Sequence, residues 1–370
     1  MSEWKEIQMS DILESANTGL DAIKRAPIVS YDSGIKCLRI QDISQEKNFE
    51  DWGFCEVEKK NYEKFQLKKG DIIVARTGAT VGVNRFISQD LKSVYNNGLI
   101  RLRTDKAECL AKFLFYNLRT NNYKGFIESI SGGTSTQPNM QINALVSFDM
   151  LLPDKEEQEA VVDILSSLDD KIDLLHRQNQ TLEQMAETLF RQWFVEEADD
   201  GWEDGVLGDL VEVKYGKDHK KLLDGTIPVY GSGGFMRGVE KPLFDGESVL
   251  IPRKGTLNNV MYVNEPFWTV DTMFYTIMKR ERIAKFIYQF IKQKDLASMN
   301  VGSAVPSMTT AVLNNMPIEV PPKENLDRFD YIVSELYDKI KFNQTQIRTL
   351  TALRDTLLPK LMGGEVRVVN

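Results

Sequence analysis

Cysteine and histidine are scarce in this chain of 370 residues. Its three cysteines, Cys37, Cys55 and Cys109, are far apart, and none belongs to a Cys-x-x-Cys pair. A sparse, odd number of cysteines argues against a disulfide or zinc framework and favours a reducing compartment. The two histidines, His176 and His219, lie in a charged helical pattern and in a lysine-rich loop. We therefore expect neither a histidine-based catalytic triad nor a metal site.

Long apolar runs and an excess of basic charge are also missing. No stretch approaches the ~20 apolar residues of a membrane-spanning helix, and residues 1–5 lack the basic-then-apolar pattern of a secretion signal. Together with the cysteine usage, this predicts a cytoplasmic protein. The formal net charge is −8, which is unusual for a protein that binds nucleic acid.

The acidic residues are concentrated in one segment. Residues 151–200 hold 14 Asp and Glu against 4 Lys and Arg, whereas residues 1–150 hold 19 against 20 and residues 201–320 hold 14 against 14. The two large segments are therefore nearly neutral, and each could gather a basic patch. We expect weak binding to nucleic acid by the chain alone, with a basic partner supplying much of the phosphate contact.

Motifs of the common nucleic-acid and nucleotide enzymes are absent or incomplete. Pro321-Pro322 lacks the preceding Asp or Asn and the following aromatic residue with which an adenine methyltransferase grips its base. The glycine-rich segment 231–234 departs from the dinucleotide pattern, and there is no P-loop. A loose nuclease-like match, Asp42 with Glu58-x-Lys60, is better explained as a solvated charged run. The sequence therefore predicts no catalytic, cofactor or metal site in this chain.

What the chain does contain is an internal repeat. Residues 4–14 (WKEIQMSDILE) match residues 202–212 (WEDGVLGDLVE) at an offset of 198. Pro138-x-Met140, Pro153 and the segment 170–172 recur 168 residues later. A decreasing offset indicates that the second copy has lost loop residues and kept its framework.

Each copy begins with a mixed region of short apolar runs broken by Gly, Asn, Asp and Pro. The predicted elements are buried strands at 70–75 and 247–251, amphipathic helices at 110–118 and 283–291, and closing strands at 145–152 and 313–320. The two buried strands end at Arg76-Thr77-Gly78 and Arg253-Lys254-Gly255. The two glycines are expected there for the shape of the backbone.

Each copy ends in a long helix. Apolar residues recur at alternating steps of four and three within 161–193 and 329–361, which is the pattern of a coiled-coil seam. One asparagine interrupts each seam, Asn179 and Asn343, and we place the two at different levels. The helices could pack separately on their own domains. Pairing with each other is favoured by the matched seams, and antiparallel pairing by the folded domain between them.

The sequence therefore predicts an α/β protein of two repeated domains, each followed by a long helix, with the two helices forming an antiparallel coiled coil. The expected boundaries are 1–153 for the first α/β domain, 154–196 for the first helix, 197–321 for the second domain and 322–370 for the second helix and C-terminal tail. Each helix would be ~50 Å long. One turn of B-DNA is ~34 Å, so such a coiled coil could hold two domains about one turn apart.

These features together resemble the specificity subunits of type I restriction-modification systems, and the resemblance covers essentially the whole chain. Its local markers are LRIQDI at 38–43, GDII with RTG at 70–78, STQPN at 135–139, PDKEEQEAVVDIL at 153–165 and LLPKLMGGEVRV at 357–368. Each marker alone is weak, and the repeated order of the framework makes the resemblance specific.

The resemblance implies a fold and a role. Each α/β domain would be a target-recognition domain similar to that of Taq-type adenine methyltransferases, and would read one half of an interrupted double-stranded DNA site. The helices would set the gap and dock two modification subunits, which carry S-adenosylmethionine and methylate adenine N6. Restriction subunits using ATP and Mg would join them for translocation and cleavage. The chain itself would be a non-catalytic subunit without a cofactor.

The second spacer departs from the first in one place. Asn325-Leu326 stands where the first copy has Glu157-Gln158. If the Glu157-Gln158 pair contacts a modification subunit, the two docking faces are unequal.

The candidate DNA-contacting residues lie at strand ends and in loops, where binding residues are common. Arg or Lys suits guanine, and Asn or Gln suits adenine. The candidates of the first domain are Arg39, Gln41, Arg76, Thr77, Thr136, Gln137 and Asn139. Those of the second are Tyr230, Ser232, Arg253, Lys254, Asn258, Ser303 and Ser307. Arg76 and Arg253 could instead cap a strand end or pair with a nearby acid, and the lysines expected on phosphates are Lys217, Lys220 and Lys221.

Two other classes of function stay open at this point. A structural or interaction protein built on a coiled coil, with no role on DNA, would explain the missing basic excess. An unrecognised nuclease or methyltransferase is the third possibility. A specificity subunit should be poorly soluble alone and should take up about two modification subunits, whereas the other two classes should behave well alone.

Overall fold

A computed structural model describes residues 4–131, 140–199, 201–299 and 307–368. The chain divides into two compact units, the first formed by residues 1–173 and 346–370 and the second by residues 174–345. Each unit thus combines one α/β domain with the beginning of one long helix and the end of the other. Among the described residues, no helix has the length and apolarity that crossing a membrane requires.

The first unit contains ten strands, within the part of it that is described. They are β1 (Lys5–Gln8), β2 (Leu13–Thr18), β3 (Ile28–Val29), β4 (Lys36–Leu38), β5 (Phe54–Cys55), β6 (Ile72–Ala75), β7 (Asn84–Phe86), β8 (Ser93–Tyr95), β9 (Leu99–Thr104) and β10 (Asp149–Leu152). The helices are α1 (Ile40–Ser44), α2 (Lys59–Phe65), α3 (Ala111–Asn117), α4 (Asn121–Ser131), α5 (Ile142–Val146) and α6 (Lys155–Arg191), the last of which continues into the second unit.

The second unit repeats this arrangement with fewer residues. Its strands are β11 (Glu203–Val206), β12 (Val211–Tyr215), β13 (Asp224–Gly231), β14 (Gly234–Val239), β15 (Glu247–Pro252), β16 (Met261–Asn264), β17 (Trp268–Thr269), β18 (Met273–Met278) and β19 (Pro317–Val320). Its helices are α7 (Leu207–Leu210), α8 (Ala284–Lys292), α9 (Thr310–Asn314) and α10 (Lys323–Met362), the last of which ends in the first unit.

The two units share one topology. The sheet β2-β9-β6-β7 of the first corresponds to β12-β18-β15-β16 of the second. The parallel pair β4 and β8 corresponds to β13 and β17, and in both units the first strand pairs with the last, β1 with β10 and β11 with β19. The internal repeat is therefore a structural duplication. One source of the decreasing offset is the connection after β4, where residues 39–53 correspond to only Ser232-Gly233.

A continuous apolar core joins each domain to its helical segments. In the first unit Phe113 of α3 packs in one core with Val161 of α6 and Leu361 of α10. In the second unit the corresponding core contains Phe286 of α8, Phe190 of α6 and Phe329 of α10. Each fully buried side chain of this size stabilises the fold by about 1.5–3 kcal/mol. These cores attach the domains to the helices rigidly enough to position the loops at their strand ends.

The long helices run antiparallel, as predicted. In the first unit the beginning of α6 shares a core with the end of α10, and in the second unit the end of α6 shares a core with the beginning of α10. No predicted seam residue is exposed. The placing of Asn179 and Asn343 at different levels was wrong, because Asn343 Nδ2 donates to Asn179 Oδ1 at 2.9 Å. Asn179 is the sixth residue of its seam and Asn343 is the fifth of its own, so the two residues face each other when the helices run in opposite directions.

Two further predictions need correction. The closing strands begin later than expected, because residues 142–146 and 310–314 form the short helices α5 and α9. The Thr309 side chain accepts a hydrogen bond from the Val312 backbone N–H and so caps α9, and Leu313 is buried by this turn. The amphipathic helix predicted at 283–291 is present as α8, but every side of it is buried, because its polar residues Lys285 and Gln289 also lie between the sheet and the long helices.

Candidate DNA interface

Arg76 lies at the end of β6 and joins two loops. Its backbone N–H donates to Gly98 O at 2.9 Å, and its carbonyl oxygen accepts from Met140 N at 2.8 Å. The guanidinium Nε donates to Met140 O at 3.2 Å, which holds the half-buried side chain against the backbone. The candidates Thr136, Gln137 and Asn139 lie outside the described residues. Met140, to which Arg76 is bonded, follows them directly in the sequence.

Thr77 and Gly78 continue the same loop. Thr77 is half-buried and precedes a short turn, and its side chain makes no capping hydrogen bond. Gly78 has φ +79° and its counterpart Gly255 has φ +85°, a backbone region that favours glycine. The prediction that both glycines serve the shape of the backbone is confirmed.

Arg39 and Gln41 lie on the connection that leaves β4. Arg39 Nε donates to Asp42 Oδ2 at 3.2 Å, and the same carboxylate oxygen accepts from the Arg39 backbone N–H at 2.9 Å. Asp42 is fully buried, with Lys47 Nζ at 3.5 Å from its other oxygen. Arg39 is thereby oriented by an internal ion pair, whereas Gln41 presents an exposed side chain on α1.

Arg253 repeats the geometry of Arg76 in the second unit. Its carbonyl oxygen accepts from Met308 N at 2.9 Å, as that of Arg76 does from Met140 N. Its guanidinium lies over the ring of Tyr215, with 5.4 Å from Cζ to the ring centroid, and donates to Asp271 O at 3.3 Å. Next to it, Lys254 is exposed and forms a β-bridge with Ser307. The candidate Ser303 lies outside the described residues.

Ser232 forms the tip of the β13–β14 hairpin and meets this loop. A Cβ added at Gly255 would lie 2.8 Å from Ser232 Oγ, and the Ser232 carbonyl oxygen accepts from Asn259 Nδ2 at 2.7 Å. The structure thus brings Ser232 together with Arg253, Lys254 and Ser307. We name the surface formed by Tyr215, Ser232, Phe235, Met236, Arg253, Lys254 and Ser307 the hairpin patch.

Two candidate residues of the second unit, Tyr230 and Asn258, form hydrogen bonds with residues outside the hairpin patch. The Tyr230 hydroxyl donates to Glu265 Oε1 at 2.9 Å. The Asn258 side chain donates to Asp295 Oδ1 at 3.3 Å and accepts from the Ala297 backbone N–H at 3.1 Å. The nitrogen and the oxygen of the Asn258 side-chain amide therefore both tie its loop to the segment after α8.

The lysines expected on phosphates lie on an ordered loop. Lys217, Lys220 and Lys221 are exposed, and Trp268 Nε1 donates to the Lys217 carbonyl oxygen at 2.8 Å. Arg237 Nη2 donates to the carbonyl oxygens of His219 and Leu222, at 2.8 and 3.0 Å. The His219 carbonyl oxygen thus helps Arg237 to hold this loop in place. The three lysine side chains lie in solvent.

Three residues of the hairpin patch were missed by the sequence reasoning. Tyr215, Phe235 and Met236 are large apolar residues that are each more than half exposed. For Phe235 and Met236 the available signal was the run GSGGFM, in which two large apolar residues directly follow a glycine-rich turn. Tyr215 carried no comparable signal.

The spacer pair Glu157-Gln158 serves its own domain. Gln158 is 1% exposed, its Oε1 accepts from Leu110 N at 2.9 Å, and its Nε2 donates to the carbonyl oxygens of Glu108 and Pro153. The suggestion that this pair distinguishes two docking faces is therefore wrong for Gln158, which has no exposed surface to offer a partner. Its counterpart Leu326 is buried in the core of the second unit.

Groups that would support metal chemistry are not assembled in the described part of the chain. No three His, Cys, Asp or Glu side chains there are placed to hold a metal ion. In the loose nuclease-like match, Asp42 is buried, whereas Glu58 and Lys60 are exposed.

Comparison with known proteins places the chain in a family. The family profile described as "Type I restriction modification DNA specificity domain" matches residues 1–184 and 199–352. The MjaIX type I restriction enzyme specificity subunit of Methanocaldococcus jannaschii is 27% identical over an alignment of 302 residues that covers 70% of each chain. The HindI specificity subunit of Haemophilus influenzae is 24% identical, with 99% of this chain and 100% of that one covered.

A solved structure shares the fold. The S subunit of a type I restriction-modification system from M. genitalium superposes with a TM-score of 0.62 at 21% identity, over 97% of this chain and 96% of that one. The two ranges matched by the family profile correspond to the two structural repeats. The chain therefore belongs to the family of type I restriction-modification DNA specificity subunits, which select the DNA sequence and carry no catalytic activity of their own.

Proposed function

We propose that each unit reads one half of an interrupted, two-part DNA sequence. The observation that carries the proposal is the repeated geometry of Arg76 and Arg253, each at the end of a buried strand and each accepting through its carbonyl oxygen from the backbone N–H of a methionine, Met140 or Met308. Arginine reads guanine through two parallel hydrogen bonds. A duplicated arginine on a duplicated scaffold suits two half-sites better than one continuous site.

The other base contacts would come from side chains at the same strand ends. In the first unit the exposed amide of Gln41 suits adenine, and in the second Lys254 suits guanine or a phosphate. Lys217, Lys220 and Lys221 would bind phosphates and add affinity without sequence information.

The partners of this chain would be two modification subunits that bind S-adenosylmethionine and methylate adenine N6. Each unit combines one domain with one helix beginning and one helix end, which supports two equivalent docking positions. Restriction subunits using ATP and Mg would complete the complex, and the proposed location is the cytoplasm. The acidic segment 151–200 would be covered in part by a partner of opposite charge.

The test is single-molecule sequencing of N6-methyladenine in the host genome with and without this gene. We expect an interrupted two-part motif that disappears on deletion and returns when the gene is restored. The control strain lacks the modification subunit and should lose the same motif. If methylation is unchanged on deletion while the modification subunits are expressed, the chain is an interaction protein with no role in sequence choice.

A further inference from the structure

The tip of the β13–β14 hairpin holds two large apolar side chains in solvent. Phe235 is 58% exposed and Met236 53% exposed. Successive residues of a strand normally point to opposite faces, so one of the two should be covered. The register shifts here, because Val229 pairs with Arg237 and Tyr230 pairs with Phe235, which leaves Met236 unpaired. This is a β-bulge, a device that redirects side chains and is common beside functional sites.

The backbone around the bulge is held in place. Gly234 has φ +106°, which a larger residue would adopt only with strain. Met236 lies against Gly231, where an added Cβ would be 2.7 Å from the sulfur. The hydrogen bond from Asn259 to the Ser232 carbonyl oxygen ties the tip to the arginine loop. The two apolar side chains are thus presented by an anchored hairpin.

Their surroundings are cationic and aromatic. Ser232 joins the tip to the loop of Arg253 and Lys254, and Arg253 lies over the half-exposed ring of Tyr215. A single exposed apolar residue needs no explanation. Two of them on a tip that is linked through Ser232 to the loop of Arg253 and Lys254 are complementary to an apolar group flanked by phosphates. In the major groove of DNA that group is the 5-methyl of thymine.

The first unit has different chemistry at the same place in the fold. The connection after β4 there is formed by residues 39–53 and carries Arg39 and Gln41. These two side chains carry hydrogen-bonding groups, whereas the tip after β13 presents apolar surface. The two units are therefore built to read their bases by different contacts.

We propose that Phe235 and Met236 are specificity-determining residues of the second unit, which read a thymine of its half-site through contact with the 5-methyl group in the major groove. This inference rests on the proposed function, because it requires the hairpin patch to face DNA. The adjacent cations of Arg253 and Lys254 hold the neighbouring base and backbone in register with the tip.

The experiment uses the full chain assembled with its modification subunits and synthetic duplexes that carry the motif found by sequencing. Thymines are replaced one at a time by deoxyuridine, which lacks only the methyl group, and Kd is measured at one fixed salt concentration. We expect one replacement in the second half-site to weaken wild-type binding about fourfold, the effect of burying one methyl-sized group. The Phe235→Ala, Met236→Ala double variant should bind the unmodified duplex more weakly and be insensitive to that replacement.

Matched controls separate this contact from general damage. Deoxyuridine in the first half-site should affect the wild type and the double variant equally, and Met236→Leu should keep the wild-type response because it stays apolar. If the double variant binds no duplex, the two single alanine variants carry the comparison. Equal responses of wild type and variants to every replacement in the second half-site would overturn the inference. The proposed function fails separately, if the wild-type complex does not prefer the motif to unrelated DNA.

Discussion

Lys285 is a buried lysine whose charge is balanced by two carboxylates. It lies on α8 with a side chain 7% exposed, and its Nζ is 2.8 Å from both Glu247 Oε1 and Asp330 Oδ1. These partners belong to β15 and α10, and Glu247 also accepts from the Tyr262 hydroxyl. The ammonium group therefore joins the sheet of the second unit to its long helix. Removing one member of such a buried group leaves uncompensated charge behind.

Lys285→Ala should lower the free energy of unfolding by about 3–5 kcal/mol, because the buried Asp330 and the half-buried Glu247 lose their shared cation. The matched control is Lys112→Ala, the repeat-related lysine of α3, whose Nζ donates to the neutral Ser166 hydroxyl at 3.0 Å. Its loss should cost about 0.5–1.5 kcal/mol. Urea unfolding of the two variants checks the difference, and equal losses would contradict it.

The same group predicts a pH dependence. Burial alone would lower the pKa of Lys285, but its hydrogen bonds to Asp330 and Glu247 raise it. The stabilisation that the charged Lys285 gives to the fold is therefore complete below the ordinary lysine pKa and is lost as pH rises through the raised pKa. Burial alone would raise the pKa of Glu247, but hydrogen bonds from Lys285 and Tyr262 lower it. The stabilisation that the ionised Glu247 gives to the fold is therefore lost as pH falls through the lowered pKa. The stability gap between wild type and Lys285→Ala should therefore narrow at both extremes of pH.

At the scale of elements, an amide pair interrupts the apolar seam between α6 and α10. Asn343 is fully buried, and its Nδ2 donates to Asn179 Oδ1 at 2.9 Å. A buried amide pair is less stabilising than two aliphatic side chains, but in any shifted register each amide would face an aliphatic side chain instead. The pair therefore favours one alignment of α6 and α10.

Asn179→Leu alone should destabilise the chain by about 1–3 kcal/mol, because the fully buried Asn343 amide loses its hydrogen bond to Asn179 Oδ1. The double variant with Asn343→Leu should recover this loss or exceed the stability of the wild type, because both polar groups are then replaced by apolar ones. Urea unfolding of the four proteins forms a double-mutant cycle. Additive losses from the two single changes would show that the amides do not depend on each other.

At the scale of the whole molecule, duplication predicts independence of the two half-sites. Each unit has its own cores and its own arginine at a strand end. A substitution in one recognition loop should therefore leave reading by the other unit intact.

Arg253→Ala should relax base choice in the second half-site by about 1–3 kcal/mol, and Arg76→Ala should do the same in the first. The measurement is methylation, by the assembled complex, of plasmids with a single changed base in either half-site. Lys221→Ala is the control, since loss of a phosphate contact should weaken methylation of all plasmids alike. Unchanged methylation at both half-sites in the arginine variants would remove them from the proposed contacts.

Much of the fold was predictable because its signals are local or repeated. The 3-4 spacing marks the seam of each long helix, and the common offsets mark the duplication. The arginines at the ends of β6 and β15 were found in the same way, because a buried strand followed by Arg and a nearby Gly reads the same in both copies. What failed were features set by distant partners, as with the burial of Gln158 against Leu110 and Glu108.

By itself, then, the sequence determined the duplication, the α/β class, the antiparallel helix pair and the family, because apolar periodicity and repeated motifs are properties of the chain alone. The tertiary structure alone decided that Asn179 meets Asn343, that Lys285 is buried between two carboxylates, and that Phe235 and Met236 both stay in solvent. The physical reason is that burial and pairing depend on residues far apart in sequence, whose approach is set by the packing of whole elements.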